Sequence, residues 1–145
     1  MTIRIVAMAA DHAGFELKSA LAAVLRDEHG LDVVDLGTAS AEPVDYPDYA
    51  GRLVATMAAG GADRGVLICG SGIGMSIAAN RHPGIRAALC ANAEMARLAR
   101  QHNDANVLVL GSRLTDPAGA ADTLRAFLGT PFEGGRHARR VAKLA

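Results

Sequence analysis

The chain has 145 residues and no net formal charge; half of its residues are hydrophobic and 21% are charged. These values predict a single globular domain spanning 1–145, with a real core and no disorder. The neutral balance and an aromatic content of only 3%, without tryptophan, argue against a nucleic-acid-binding protein, which would carry a basic surface or aromatic stacking platforms.

The cysteine count predicts a reducing, cytoplasmic location. Cys69 and Cys90 are too few for a disulfide framework, and they lack the spacing of metal ligands. Residues 1–6 run straight into a strand rather than into a signal peptide. No apolar run approaches the roughly 20 residues that span a membrane, and we expect no membrane partner.

In the first half of the chain, apolar runs alternate with amphipathic stretches. Leu17, Leu21, Val24 and Leu25 recur at a helical period, and Gly30 ends that helix. The predicted elements are strand 3–9, helix 17–25, strand 33–36, loop 38–46, helix 49–59 and strand 66–69.

The second half continues the alternation. Asp116 and Pro117 mark a helix start, as an N-cap followed by proline at the first helical position. The elements are a short helix ending at Asn80, strand 85–90, helix 93–101, strand 107–110, a helix from Pro117 and a basic helical tail from about 134 to 145. This order predicts an α/β protein: a three-layer αβα sandwich around a five-stranded parallel Rossmann-like sheet. Ligands of such sheets bind outside the carboxyl ends of the strands.

A glycine-rich turn, Cys69–Gly74, follows the third strand. Its glycines allow a close approach of the backbone to a ligand, and the next helix offers free N–H groups for an oxyanion or phosphate. Neither the dinucleotide nor the P-loop pattern is met, so a plain tight turn is the alternative. Two interpretations of Cys69 are open: the helix N-terminus activates it as a base or nucleophile, or it is an inert core thiol. We expect Cys90 to be a core cysteine.

His102 ends the fourth helix on the apolar face that carries Met95 and Leu98. It is either a buried histidine at the helix C-terminus or a general acid–base, with Asn103 and Asp104 able to fix its tautomer.

Asp11 and His12 follow the first strand, where a parallel sheet places its ligand. Asp11 equally well caps the first helix. Tyr46 could hydrogen-bond a hydroxylated ligand, although turn and helix-start chemistry explains residues 46–49 as well. In the tail, Arg136 and Arg140 share a helical face that suits a phosphate; a solvated basic tail is the alternative.

Taken together, these segments resemble the type B ribose-5-phosphate isomerases and their relatives, the galactose-6-phosphate isomerase subunits. The resemblance covers nearly the whole chain, with the segments in the family's order and spacing. They are Ala10–Gly14, Asp45–Pro47, Cys69–Gly74, Ala78–Asn80, Arg100–Asp104, Gly111–Arg113 and Glu133–His137.

The resemblance implies an aldose–ketose isomerase that opens the ring of ribose 5-phosphate and forms ribulose 5-phosphate through an enediolate. It also implies a homodimer, or a larger assembly, with active sites shared between subunits, and we expect no metal and no cofactor. Cys69 would be the base and His102 the ring-opening group. The residues implied to bind the sugar phosphate are Asp11, His12, Tyr46, Gly70, Ser71, Gly72, Ile73, Gly74, Asn103, Arg113, Arg136 and Arg140.

Two positions refine this expectation. One branch of the family uses a glutamate base at the position of Met75, which cannot accept a proton, so the chain resembles the cysteine-base branch. Ser71 stands where many relatives have threonine, and the hydroxyl is kept.

Other readings stay open at this point. The substrate could be allose 6-phosphate, galactose 6-phosphate with a second subunit, or a tetrulose phosphate. A flavodoxin-like binding module is the alternative of another class, although Ala10–Gly14 supplies neither an acidic cluster nor a convincing flavin-phosphate loop.

Overall fold

Strands and helices alternate along the chain in a computed structural model that describes residues 2–144. The elements are β1 (Ile5–Ala10), α1 (Phe15–Asp27), β2 (Asp32–Asp35), α2 (Tyr46–Ala58), β3 (Arg64–Cys69), α3 (Ile73–Asn80), β4 (Ala87–Leu89), α4 (Ala93–Asn103), β5 (Val107–Gly111), α5 (Pro117–Gly129) and α6 (Arg136–Ala142).

All strand pairs are parallel, and the order across the sheet is β2-β1-β3-β5-β4. The predicted three-layer αβα fold is confirmed. The chain first moves outward from β1 to β2 and then returns past β1 to β3. The connections on either side of the β1–β3 pair therefore run over opposite faces, and a crevice opens at the carboxyl ends of these two strands.

Side-chain alternation along the strands divides the core between the two faces of the sheet. Met8 and Ile68 belong to the cluster that packs against α1, α4 and α5. Leu67 and Cys69 belong to the cluster that packs against α2 and α3, with Leu53 at its centre. Buried strands that are apolar on both faces are typical of parallel sheets, which explains the near-continuous apolar runs in the sequence.

The fourth strand is shorter than its apolar run. The sequence predicts 85–90, whereas β4 spans Ala87–Leu89. Two asparagine side chains replace the ladder here: Ala87 N–H donates to Asn80 Oδ1 at 2.8 Å, and Arg86 N–H donates to Asn106 Oδ1 at 2.8 Å. The prediction was too long because a side-chain amide can substitute for a neighbouring strand.

Helix α2 begins at Tyr46, three residues before the predicted start. Pro47 lies in the first turn, where its missing N–H has no intrahelical partner to lose and its fixed φ is already helical. Tyr46 is therefore a helix residue, held at a fixed angle over the carboxyl edge of the sheet.

A buried ion pair fastens α1 to the end of β2. Lys18 is 1% exposed, and its Nζ donates to Asp35 Oδ1 and Oδ2 at 2.6 and 2.7 Å. Burial opposes ionisation of Asp35, but the hydrogen bonds from Lys18 and from Gly37 N–H outweigh it and lower its pKa.

The longest helices, α1, α2 and α5, have 13 residues each. Within residues 2–144, no helix has both the length and the apolar character needed to cross a membrane.

Candidate active site

A cleft of about 570 Å³ opens at the carboxyl ends of β1, β3 and β5. It lies beside the β1–β3 crevice, where the topology predicts a ligand. The cleft is lined by Asp11, Tyr46, Cys69, Gly70, Ser71, Ile73, Gly74, Ile77, Arg113 and Leu114. One chain thus brings together eight of the residues predicted from the sequence.

The glycine-rich turn between β3 and α3 forms the floor of this cleft. Gly72 has a φ of +78°, in the left-handed region that favours glycine, and a Cβ there would lie 2.5 Å from Leu89 Cδ1. Ile73 N–H donates to Ser71 Oγ at 3.2 Å. The first N–H groups of a helix have no acceptor within it, so the turn presents donors to an anion in the cleft.

Cys69 ends β3 directly below this turn and is 5% exposed. Its Sγ accepts a hydrogen bond from Gly72 N–H at 3.2 Å. The sulfur thus has a hydrogen-bond donor beside it, and a cysteine takes a proton or attacks an electrophile through its sulfur. Cys90 differs: burial raises its pKa to about 11, and its thiol contacts Ala88 O at 3.6 Å, as expected for a core cysteine.

Asp11 follows β1 and is 7% exposed. Its Oδ1 accepts from Ala13 N–H at 3.0 Å and from Gly14 N–H at 3.1 Å, so the carboxylate caps the short 3₁₀ turn before α1. The capping interpretation is therefore correct, and it is compatible with a ligand role because Asp11 also lines the cleft.

His12 lies in a second cavity of about 420 Å³ that shares Arg113 with the cleft. Val44 N–H donates to its Nδ1 at 3.1 Å. In the neutral ring the proton is then on Nε2, and loop 38–45 fixes the orientation of the ring.

Tyr46 covers Gly74 so closely that a Cβ at position 74 would lie 2.5 Å from Tyr46 Cζ. Across the cleft, Arg113 N–H donates to Gly70 O at 2.9 Å, and the Arg113 guanidinium lies beside Gly70. Glycine is thus needed at 74 beneath Tyr46, whereas a Cβ at 70 would meet the Arg113 guanidinium only at 3.4 Å. Leu114 and Ile77 also line the cleft but carry no sequence signal of a site, because both are exposed apolar side chains, a property that a sequence pattern cannot show.

The remaining predicted residues lie at the opposite edge of the sheet. Helix α4 runs back from the carboxyl edge, and its 11 residues extend for about 16 Å. His102 and Asn103 at its end are therefore near the amino ends of the strands: Arg86 Nε, before β4, donates to Asp104 O at 2.9 Å. Helix α6, with Arg136 and Arg140, packs against α4 at this edge.

His102 does not have the buried environment that its apolar face suggested. Met95 and Leu98 on that face are 43% and 40% exposed, because α4 packs through Ala96, Ala99 and Arg100 instead. The His102 side chain is 40% exposed and stacks on His137 with ring centroids 4.4 Å apart. The reading of His102 as a buried core histidine is wrong.

Met75 is fully buried on α3, packed in the core cluster of α2 and β3. The thioether of Met75 therefore contributes to packing.

Residues 6–144 match the family model described as Ribose/Galactose Isomerase. Ribose-5-phosphate isomerase B of Escherichia coli is 48% identical over 136 residues, which cover 94% of this chain and 91% of that protein. The solved structure of a ribose 5-phosphate isomerase from Thermotoga maritima superposes with a TM-score of 0.94 at 52% identity, covering 99% of this chain and 98% of that one. The type B ribose 5-phosphate isomerase of Trypanosoma brucei gives a TM-score of 0.94 at 49% identity, covering 99% and 97%.

The fold and the cleft define an isomerase of the doubly wound α/β class. The chain belongs to the ribose/galactose isomerase family.

Proposed function

We propose that this protein interconverts ribose 5-phosphate and ribulose 5-phosphate. The observation that carries the proposal is the Cys69 thiol beneath an anion-binding turn, in a cleft at the topological switch point. Relatives at 48% to 52% identity bear the name of this activity over nearly their full length. The two unpaired cysteines fit the reducing environment of the cytoplasm.

In the proposed reaction Cys69 acts as the base that moves one proton. The thiolate takes the proton from C2 of the open-chain aldose, and the electron pair passes to the carbonyl oxygen on C1 to give an enediolate. A proton passes from the hydroxyl oxygen on C2 to the oxygen on C1, and Cys69 returns a proton to C1 as the carbonyl forms at C2, so the sugar is neither oxidised nor reduced overall. The Gly72 and Ile73 N–H groups already donate to Cys69 and Ser71, so the other backbone N–H groups of residues 70–74, with the Ser71 hydroxyl, stabilise the enediolate oxygen.

The other cleft residues hold the sugar during this transfer. Asp11, His12 and Tyr46 surround the Cys69 turn with hydrogen-bonding groups, and Arg113 adds a positive charge beside Gly70. Contacts to atoms that do not react orient the reacting carbons, which is an effective use of binding energy.

A second part of the proposal is a homodimer with shared active sites. Within one chain α4 separates His102 and Asn103 from Cys69 by the depth of the sheet, so these groups can meet only across a subunit boundary. Exposed apolar side chains around the cleft support such an interface: Ile73, Ile77 and Leu114 are 54%, 60% and 70% exposed. Arg136 and Arg140 then bind the phosphate of a substrate held in the partner's cleft.

Turnover in D₂O tests the reaction. Metal-free protein is incubated with ribose 5-phosphate, and the products are followed by NMR. We expect ribulose 5-phosphate with deuterium at C1, because a proton on Cys69 can exchange with solvent. Allose 6-phosphate, galactose 6-phosphate and erythrose 4-phosphate serve as comparison substrates. If the protein turns over one of these and not ribose 5-phosphate, that sugar phosphate is the substrate instead.

Mixing two inactive variants tests the shared site. Cys69→Ala and His102→Ala chains are unfolded together and refolded as a mixture. Mixed dimers have one site with both Cys69 and His102, so we expect activity to reappear, up to about a quarter of the wild-type value for random pairing and independent sites. Each variant refolded alone is the control, and a mixture no more active than either variant contradicts sharing.

A further inference from the structure

Two histidines and a glutamate converge where the end of α4 meets the start of α6. The Nε2 atoms of His137 and His102 lie 3.5 and 4.0 Å from the same atom, Oε1 of Glu133. The imidazole planes are 15° apart, so the rings stack rather than form an edge contact. One ligand atom from each of the three side chains lies within 4.8 Å of the other two.

His137 is the buried member of this cluster. It is 6% exposed, and among residues 2–144 its Nε2 finds no hydrogen-bond partner. An unsatisfied buried polar atom is destabilising and calls for an explanation. Burial is the main cause of a lowered pKa for His137, and the nearby charges of His102 and Arg136 act in the same direction.

The spacing is close to that of a tetrahedral metal centre. Zinc–nitrogen and zinc–oxygen bonds of about 2.0–2.1 Å place the ligand atoms about 3.3 Å apart. The two distances to Glu133 Oε1 exceed this by about 0.2 and 0.7 Å. A metal ion lies in the plane of each imidazole that binds it, so the His102 ring must turn out of its stack on His137 for both nitrogens to reach one ion. The side chains of His102 and Glu133 are 40% and 50% exposed, and both can change rotamer to do so.

The donor set indicates the kind of ion. Two imidazoles and one carboxylate suit zinc and related transition ions, whereas calcium and magnesium prefer oxygen alone. Three protein ligands leave a fourth position for water or another ligand. The guanidinium groups of Arg136 and Arg140 on α6 oppose a bare dication, so an anionic fourth ligand would strengthen binding.

We propose that His102, Glu133 and His137 form a binding site for a zinc-type divalent ion, with one open coordination position. Binding of the ion occupies a nitrogen of His102 and removes it from proton transfer. The site is therefore inhibitory. This inhibitory effect rests on the proposed function, whereas metal binding itself does not.

Calorimetric titration of the metal-free protein with Zn²⁺ tests the site. We expect one equivalent per chain in the wild type and an affinity at least 10-fold lower in Glu133→Gln and His137→Gln. Glu133 is half-exposed, so its variant stays informative if His137→Gln does not fold. His82→Gln, an exposed histidine outside the cluster, is the matched control and should bind as the wild type does. Equal affinities of Glu133→Gln and the wild type overturn the proposal.

Titration with Co²⁺ identifies the ligands. Nitrogen and oxygen ligands give d–d bands alone, whereas a cobalt–thiolate bond adds an intense charge-transfer band. A charge-transfer band that disappears in Cys69→Ser or Cys90→Ser assigns the ion to a thiol and also overturns the proposal.

Isomerase assays with Zn²⁺ complete the test. The rate of each variant with Zn²⁺ is compared with its own metal-free rate. Zn²⁺ should inhibit the wild type, and a chelator should restore the activity. The Zn²⁺ concentration that inhibits Glu133→Gln should be at least 10-fold higher. Absent turnover without metal contradicts the proposed function; turnover that zinc inhibits equally in the wild type and Glu133→Gln contradicts the inhibitory site.

Discussion

The Sγ atom of Cys69 lies 3.2 Å from the backbone nitrogen of Gly72, which donates a hydrogen bond to it. The thiol is thus bonded to the turn that leads into α3, at the positive end of the helix dipole. The position of the sulfur therefore depends on the turn, and the proposed proton transfer depends on the position of the sulfur.

Replacing Cys69 by alanine should remove the base and leave the cleft intact. We expect kcat for ribose 5-phosphate to fall by at least about 10²-fold, the lower range for loss of a general base. KM should change little, because the sugar and phosphate contacts remain. Steady-state kinetics measure both constants. Cys90→Ala is the control, because its thiol is buried beside β5 outside the Cys69 cleft, and it should retain most of the activity.

Gly111→Ala should displace the glycine-rich turn after β3. A Cβ at position 111 would lie 2.5 Å from the carbonyl oxygen of Ser71, so the turn must move. We expect a loss of about 1–3 kcal/mol in the free energy of unfolding and a clear fall in kcat well below the melting temperature.

The matched control is Gly51→Ala in α2, where an added Cβ meets nothing within 4 Å. This variant should be more stable by about 0.5–1 kcal/mol and equally active. Urea unfolding and kinetics compare the two variants, and full activity of Gly111→Ala would show that the turn tolerates displacement.

Asp35→Ala should destabilise the fold strongly. It leaves the ammonium of Lys18, which is 1% exposed, without its carboxylate. Removal of one partner of a buried pair costs about 3–5 kcal/mol; since the Asp35 side chain is 44% exposed, we expect about 3 kcal/mol. Lys18→Met should cost less, because Asp35 can be hydrated. Urea unfolding measures both, and the reverse order contradicts this assignment.

Asp63 should govern part of the acid sensitivity. Its Oδ2 accepts from the N–H groups of Ile5 and Arg4 at 3.0 and 2.8 Å, and these bonds lower its pKa below the ordinary value of 3.8. The ionised form therefore stabilises the fold above about pH 4, and the contribution is lost as the pH falls through the lowered pKa.

The experiment compares Asp63→Asn with the wild type by urea unfolding between pH 2.5 and 7. The variant should be less stable at neutral pH and should lose less stability between pH 4 and 2.5. Asp27→Asn, at an exposed end of α1, is the control. Parallel pH profiles for Asp63→Asn and the wild type would contradict the role of Asp63.

The sequence predicts most of the fold because apolar period and turn chemistry act locally. The predicted bounds of β4 are wrong, because the side chains of Asn80 and Asn106 accept the backbone hydrogen bonds that a neighbouring strand would otherwise take. At the site, strand ends correctly predict that Asp11 and Cys69 share one edge. His102 is a different case: periodicity shows an apolar face on α4 but cannot show that the chain itself leaves Met95 and Leu98 uncovered.

The direction of α4 has a consequence for the cell. In the proposed dimer a lone chain holds Cys69 and His102 too far apart to act together, so it has no working catalyst. Specific activity then depends on protein concentration, falling on dilution below the dissociation constant of the dimer. Below that constant, doubling the concentration of the proposed dimer-forming chain more than doubles its activity.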